Sequence, residues 1–238
     1  MMTPLSATSP SAAVLPVHFE GVPLVQADAR SCGAAALVML AASGDATLAS
    51  WLAGSPLPPD GPIPPEVPTW AWGLELPLAV RFEVAQRHVR SALRARRGLP
   101  WPAPWGTHPA HAAELARYGD YRFLTRWVGP RPGRRSGLPE IGAAMDAGVP
   151  CLLYVGGGSH ESLTRRLPRH VVLAVPPKGG AGINIYEPAS ATLHSLALAD
   201  LVGERRRAAF GHWSRLRAVV IPDLTQPTAG MPAEQDHP

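Results

Sequence analysis

Hydrophobic and polar positions divide the chain into a first half with helical spacing and a second half with strand spacing. The run from Cys32 to Ala42 is small and apolar on every side, which predicts a buried helix that ends near Gly44. Ser31 stands at the position of a helix cap. Apolar residues recur at helical spacing from Glu83 to Arg97, and a short helix is predicted at about 110–118.

Strand patterns dominate the second half after one more predicted helix, Leu138–Ala147, which stops at Gly148. Short apolar runs predict four strands: Val149–Val155, His170–Val175, Ile183–Tyr186 and Leu216–Ile221. Glycines and prolines connect the first three runs and favour antiparallel neighbours. A helix-rich first half and a strand-rich second half predict an α+β fold, with the helical part packed on an antiparallel sheet.

Prolines interrupt the pattern between Leu52 and Pro68, so a long connector without helix or strand is expected there. We predict one compact domain over residues 16–223, a flexible lead at 1–15 and a disordered tail at 224–238. No apolar run reaches about 18 residues, which argues against a membrane span. Residues 1–16 hold no basic residue and no long apolar run, so a secretory signal is not expected and a cytoplasmic location is.

The balance of charge adds little to this picture. The 22 basic and 18 acidic side chains give a formal net charge of +4, and Lys178 is the only lysine. Arginines cluster at 94–97, 131–135 and 205–207, but no aromatic interleaving accompanies them, so a solvated face is favoured over nucleic-acid binding. Two cysteines in 238 residues do not make a disulfide framework, and each is judged as a free thiol in a reducing compartment.

Four residues have the types and positions that acyl transfer by a thiol requires. Cys32 lies at the predicted start of a helix, where backbone N–H groups and the helix dipole favour a negative charge. His170 begins a predicted strand as a candidate general base, and Glu187 ends the next strand as a candidate to orient the imidazole. The amide of Gln26 is a candidate oxyanion donor together with the Cys32 N–H, and Gly33 is expected to leave room for a substrate carbonyl.

Three short motifs surround these residues: Gln26 followed by Cys32-Gly33-Ala34-Ala35, Arg169-His170-Val171-Val172-Leu173, and Tyr186-Glu187-Pro188-Ala189. They resemble the papain-like cysteine peptidases, in particular the family that processes bacteriocin leaders at double-glycine sites and its stand-alone actinobacterial relatives. His170 follows Cys32 by 138 residues (170 minus 32), within the roughly 130–150 residues typical of papain and cathepsins. The resemblance covers about Val25–Leu40 and Val149–Ala189, and Glu187 stands where the family has Asp, one methylene shorter.

The resemblance implies a papain-like hydrolase that cleaves a peptide or amide substrate through a thioester, without cofactor or metal. In this scheme Cys32 is the nucleophile, His170 the base, Glu187 the orienting carboxylate and Gln26 the oxyanion donor. An acyltransferase or transglutaminase-like enzyme would use the same residues, with an amine resolving the thioester. A non-catalytic binding module of the same fold is the alternative from another class, and the exchange of Asp for Glu favours it.

Three other groups are better explained by structure than by chemistry. Cys151 lies in an apolar run and is expected to be a core thiol. His108 and His111 share a helical face, but no further ligands are patterned nearby, so a zinc site is discounted. The run Gly156-Gly157-Gly158-Ser159 is not followed by the Gly-Lys-Ser/Thr of a phosphate loop, and it predicts a flexible loop near the site.

Overall fold

The computed structural model describes residues 18–19, 22–55, 61–96, 106–129, 137–177 and 182–225. The helices in these ranges are α1 Cys32–Gly44, α2 Ala46–Ala53, α3 Leu78–Ala95, α4 Pro109–Leu115, α5 Leu138–Asp146 and α6 Leu163–Arg166. The strands are β1 His18–Phe19, β2 Val22–Pro23, β3 Phe123–Trp127, β4 Cys151–Gly156, β5 His170–Val175, β6 Ile183–Glu187, β7 Thr192–Leu196 and β8 Arg215–Pro222. The 3-10 turns in the described ranges lie at Thr69–Ala71, Leu198–Leu201 and Ala208–Phe210.

Strands β3 to β8 form one six-stranded sheet in the order β3-β8-β4-β5-β6-β7, and every neighbouring pair is antiparallel. β4 and β5 pair with Val155 opposite His170, and β5 and β6 pair with Leu173 opposite Tyr186. The first residue of β5 and the last residue of β6 therefore lie at the same end of the sheet. The prediction of an α+β fold, with a helical N-terminal part and an antiparallel sheet, is confirmed.

Side chains of β4, β5 and β8 alternate between two hydrophobic clusters on opposite faces of the sheet. Val171, Leu173 and Val175 of β5 belong to the cluster that α1 and α3 complete, whereas Val172 and Ala174 belong to the cluster of α5 and the turn Ala208–Phe210. α1 contacts both α3 and β5, and its residues 32–41 are all buried. This central position explains why α1 is built from small apolar side chains.

Several helices differ from the sequence-based expectation. α3 begins at Leu78, five residues before the predicted start at Glu83 (83 minus 78). α2 was not expected; Asp45 caps it by accepting bonds from the N–H groups of Thr47 and Leu48 at 2.8 and 3.0 Å. The helix covers the first residues of the predicted proline-rich connector, while residues 61–68 contain neither helix nor strand, as predicted.

Two strands of the sheet, β3 and β7, were also not predicted. Both are edge strands, and β7 carries mostly exposed or half-buried side chains, so neither has the continuous apolar pattern of β4 or β5. The predicted lead at 1–15 and the arginine run 131–135 lie outside the described residues, as does the predicted tail apart from residues 224 and 225.

Within the described ranges, no single helix is both long and apolar enough to cross a membrane. α1 and α2 meet the criteria of length and composition only when taken together, and they are bent by 116° at the break between them.

Replacing Leu40 of α1 with Ala tests the central position of this helix. Leu40 is fully buried, so we expect the free energy of unfolding to fall by about 2–5 kcal/mol. Leu74→Ala is the matched control, because Leu74 is 47% exposed and its loss is expected to change stability by less than about 0.5 kcal/mol. Urea unfolding measures both, and equal small losses would contradict the burial of α1.

Candidate active site

Cys32 is the first residue of α1, and its side chain is buried. Ser31 occupies the N-cap position, but its hydroxyl makes no bond to the helix. Instead, Ser31 Oγ donates to the carbonyl of Asp28 and accepts from the Asp28 N–H, both at 2.8 Å. The expected cap therefore organises the loop before the helix, and the N–H groups of the first turn keep their favourable field at the thiol.

His170 and Glu187 form a buried pair at the end of the sheet. The imidazole Nε2 lies 2.7 Å from the carboxylate Oε1, and the two residues are 8% and 3% exposed. Since Nε2 is engaged by Glu187, Nδ1 is the ring nitrogen left for Cys32, with which His170 also interacts. The structure thus brings together three of the four residues that the sequence selected.

The charges of this group are strongly coupled. Burial by itself lowers the pKa of His170, but the interactions with Cys32 and Glu187 outweigh it and raise the pKa from 6.5 to about 9. His170 is therefore an imidazolium at neutral pH, matched by the negative charge of Glu187 and by that of Cys32 when the thiol is ionised. Such an arrangement supplies a nucleophile and a proton donor at the same time.

Glu187 reaches His170 because the following turn holds its carboxylate. Oε1 accepts from the Ala189 N–H at 2.9 Å, and Oε2 accepts from the N–H and the hydroxyl of Ser190 at 2.8 and 2.6 Å. Burial by itself raises the pKa of Glu187, but the hydrogen bonds from His170, Ser190 and Ala189 outweigh it and lower the pKa from 4.5 to about 2. The extra methylene of Glu is thus accommodated by folding the side chain back onto its own turn.

Gln26 lies in the loop that leads to Cys32. Its Nε2 donates to the Asp28 carbonyl at 2.9 Å, and its backbone N–H donates to the carbonyl of Pro188, directly after Glu187, at 2.8 Å. Its buried Oε1 has no hydrogen-bond partner among the described residues. An amide nitrogen carries two N–H groups, so the bond to Asp28 leaves one for a substrate oxygen.

Gly211 is a residue that the sequence did not single out. It follows the turn Ala208–Phe210 with a φ of +57°, and a Cβ at this position would lie 2.9 Å from both Cδ2 and Nε2 of His170. The same Cβ would lie 3.4 Å from Glu187 Oε1. The backbone of Gly211 therefore covers the bond between the two side chains, and only glycine fits there.

Tyr154 is a second residue that the sequence analysis did not select. It lies on β4 opposite Val171, and its hydroxyl is buried without a partner among the described residues. Burial raises the pKa of Tyr154, and the negative charge of Cys32 raises it further, which places the phenol in the electrostatic field of the thiol. The sequence signal that could have drawn attention to this residue is a tyrosine within the otherwise apolar run of β4.

Gly33 has a different role from the one expected. A Cβ on Gly33 would lie 2.7 Å from the Cβ of Thr107, so the missing side chain makes room for Thr107. The expectation that Gly33 leaves space for a substrate carbonyl is replaced by this contact, which joins the start of α1 to the segment before α4.

The remaining candidates make ordinary structural contacts. Cys151 is fully buried in β4, and burial raises the pKa of its thiol to about 12. His108 Nδ1 accepts from the Ala110 N–H at 3.1 Å and so caps α4. No group of three or more His, Cys, Asp or Glu side chains in the described ranges could hold a metal ion.

The arginines at 205–207 face a groove of about 410 Å³ that His194 also lines. Arg206 pairs with Glu161 at 3.2 Å, and Arg207 donates to the carbonyls of Arg205 and Val202. The side chains of Arg206 and Arg207 therefore tie neighbouring segments together at the surface.

Comparison with known proteins does not assign a family. A scan against protein-family models found no match, and a search of the curated proteins found no similar sequence. A function for this site is therefore argued from its own residues and geometry.

The two thiols are expected to react at different rates with iodoacetamide in the folded protein. Cys32 lies at a helix start beside His170, whereas burial holds the pKa of Cys151 at about 12 and keeps that thiol protonated. Peptide mapping by mass spectrometry measures both rates, and Cys32→Ala serves as the control that reports Cys151 alone. Equal rates, or faster reaction of Cys151, would contradict the assignment of Cys32.

Gly211→Ala is expected to displace His170 and slow the alkylation of Cys32. The matched control is Gly119→Ala, because Gly119 has a similar φ of +50° but no atom within 4 Å of an added Cβ. Both variants carry the backbone cost of about 1–2 kcal/mol for a left-handed alanine, which thermal unfolding measures. Only the Gly211 variant should slow alkylation at neutral pH, and equal alkylation rates in the two variants would contradict the contact.

Proposed function

We propose that the protein is a papain-like cysteine hydrolase that cleaves an amide bond of a peptide or related substrate through a thioester. The observation that carries the proposal is the buried bond of 2.7 Å between His170 and Glu187, at a sheet end where His170 also interacts with the first residue of α1. A helix-start thiol, an imidazolium and a carboxylate in series are the components of nucleophilic catalysis by cysteine.

The proposed reaction has two steps. The Cys32 thiolate attacks the amide carbonyl, and His170 transfers its proton to the leaving amine as the C–N bond breaks. Water then attacks the thioester while His170 accepts a proton from it, the C–S bond breaks, and the acid product leaves with the thiolate–imidazolium pair restored. Glu187 keeps the imidazole oriented through Nε2 and stabilises its charge in both steps.

Gln26 is proposed to stabilise the oxyanion of both steps. The free N–H of its amide and the backbone N–H of Cys32 would donate to the developing negative charge. The bond from the Gln26 N–H to Pro188 supports this role, because it connects the loop of Gln26 to the turn that holds Glu187. We also propose that the protein acts in the cytoplasm.

Acylation by p-nitrophenyl acetate tests the proposal without knowledge of the natural substrate. We expect a burst of p-nitrophenol, an acetyl group on Cys32 detected by mass spectrometry, and neither in Cys32→Ala. A stable, unacylated Cys32 would contradict the enzyme and favour a binding module. Addition of a primary amine separates hydrolysis from transfer, since an acyltransferase would release the acetamide as its main product.

Replacing Glu187 with Gln is expected to shift the alkaline limb of the acylation rate towards neutral pH. The raised pKa of His170, about 9, means that the imidazolium is lost only as the pH rises through that value. Glutamine keeps the shape of the side chain but removes its negative charge, so the pKa of His170 falls and the charged form is lost at lower pH.

The rate of acylation by p-nitrophenyl acetate, measured from mildly acidic to alkaline pH, checks this expectation. Glu187→Asp is the matched control, because it restores the charge with a shorter reach, and its limb should lie between those of the Gln variant and the unmodified protein. An alkaline limb that stays in place in Glu187→Gln would show that Glu187 does not stabilise the imidazolium.

A further inference from the structure

We propose that Gln86 of α3 is a positioning residue that holds Gln26 in place for the oxyanion. This inference rests on the proposed function and adds to it a side chain far from the thiol in sequence. Gln86 is 1% exposed and lies in the buried stripe of α3, whose other buried members include Phe82, Ala85 and Val89.

The amide of Gln86 binds the backbone on both sides of Gln26. Its Oε1 accepts from the Ala27 N–H at 2.8 Å, and its Nε2 donates to the Val25 carbonyl at 3.1 Å. The two bonds engage the residues immediately before and after Gln26. They therefore restrict the backbone on either side of the Gln26 side chain.

A second anchor holds the same loop from the side of the sheet. The Tyr186 hydroxyl donates to the Leu24 carbonyl at 2.5 Å, and the Gln26 N–H donates to the Pro188 carbonyl at 2.8 Å. The loop is thus hydrogen-bonded to α3 on one side and to the residues before and after Glu187 on the other. These contacts define the position of Gln26 relative to the imidazole. Loss of Gln86 would free the backbone on either side of Gln26 and leave the contacts to Tyr186 and Pro188 and, beyond Gln26, the ion pair between Asp28 and Arg90 of α3.

The stability of the fold alone does not account for a glutamine at position 86. The buried residues next to Gln86 on the helix, Phe82, Ala85 and Val89, are apolar. An amide buried among them gains little net free energy from its hydrogen bonds compared with a well-packed apolar side chain. What glutamine provides here is a donor and an acceptor at the spacing of two peptide groups. An apolar residue of the same size would fill the volume and release the loop.

Gln86→Met tests the inference, because methionine is similar in size and makes neither bond. We expect acylation by p-nitrophenyl acetate to slow by about tenfold or more, since an oxyanion donor is worth about 100- to 1000-fold and misplacement removes part of that. Alkylation of Cys32 by iodoacetamide should stay unchanged, because it forms no oxyanion. In a Gln26→Ala background, Gln86→Met should slow acylation by less than about twofold.

Leu93→Ala is the stability control, since Leu93 is buried near the C-terminal end of α3. Its loss should lower the thermal midpoint without selective loss of acylation. Gln86→Glu retains the acceptor for Ala27, loses the donor to Val25 and should give a smaller defect than Met. If Gln86→Met does not fold, this variant takes its place in the cycle with Gln26→Ala.

Three results would overturn the inference: no slowing of acylation, equal slowing with and without Gln26, or parallel loss of alkylation. The proposed function fails in a different way. In that case the unmodified protein would alkylate rapidly at Cys32 yet not be acylated by the ester, and Gln86 would have no reaction to support.

Discussion

The buried bond between His170 and Glu187 is the interaction on which the candidate site depends. Two charged groups out of water are costly unless each is well paired. Here the carboxylate accepts from the imidazole and from the turn after β6, and the glycine backbone at 211 covers the bond. Antiparallel pairing of β5 with β6 brings the two residues to one end of the sheet, so the site and the sheet order are consequences of the same arrangement.

The loop before α1 holds the start of the helix, and with it Cys32, in place beside His170. It is fixed to β6 and its turn through Tyr186 and Pro188, and to α3 through Gln86, before it turns at Asp28 into the helix. Helix α1, which is buried over residues 32–41, then has little freedom to move its first residue relative to His170. The core of small side chains and the polar contacts of the loop thus act together to place Cys32 beside the imidazole.

Much of the fold could be predicted from the sequence, because α1, β4 and β5 are apolar over nearly their whole length and leave few alternatives. The edge strands β3 and β7 and the helix α2 could not, since half-exposed elements have weak periodicity. Local motifs were sufficient to select Cys32, His170 and Glu187. Gly211 and Gln86 could not be identified from sequence motifs, because their roles arise from contacts between segments that are distant along the chain.

The charge state of His170 tests the coupling of Cys32, His170 and Glu187 most directly, and nitrogen-15 NMR of the imidazole measures it. The resonances are assigned by their loss in His170→Asn. We expect a ring that remains protonated at neutral pH and titrates near the raised pKa of about 9, with a marked fall in that pKa when Cys32 is replaced by Ala. A ring that is neutral at pH 7 and titrates alike with and without the thiol would contradict the coupling of Cys32, His170 and Glu187.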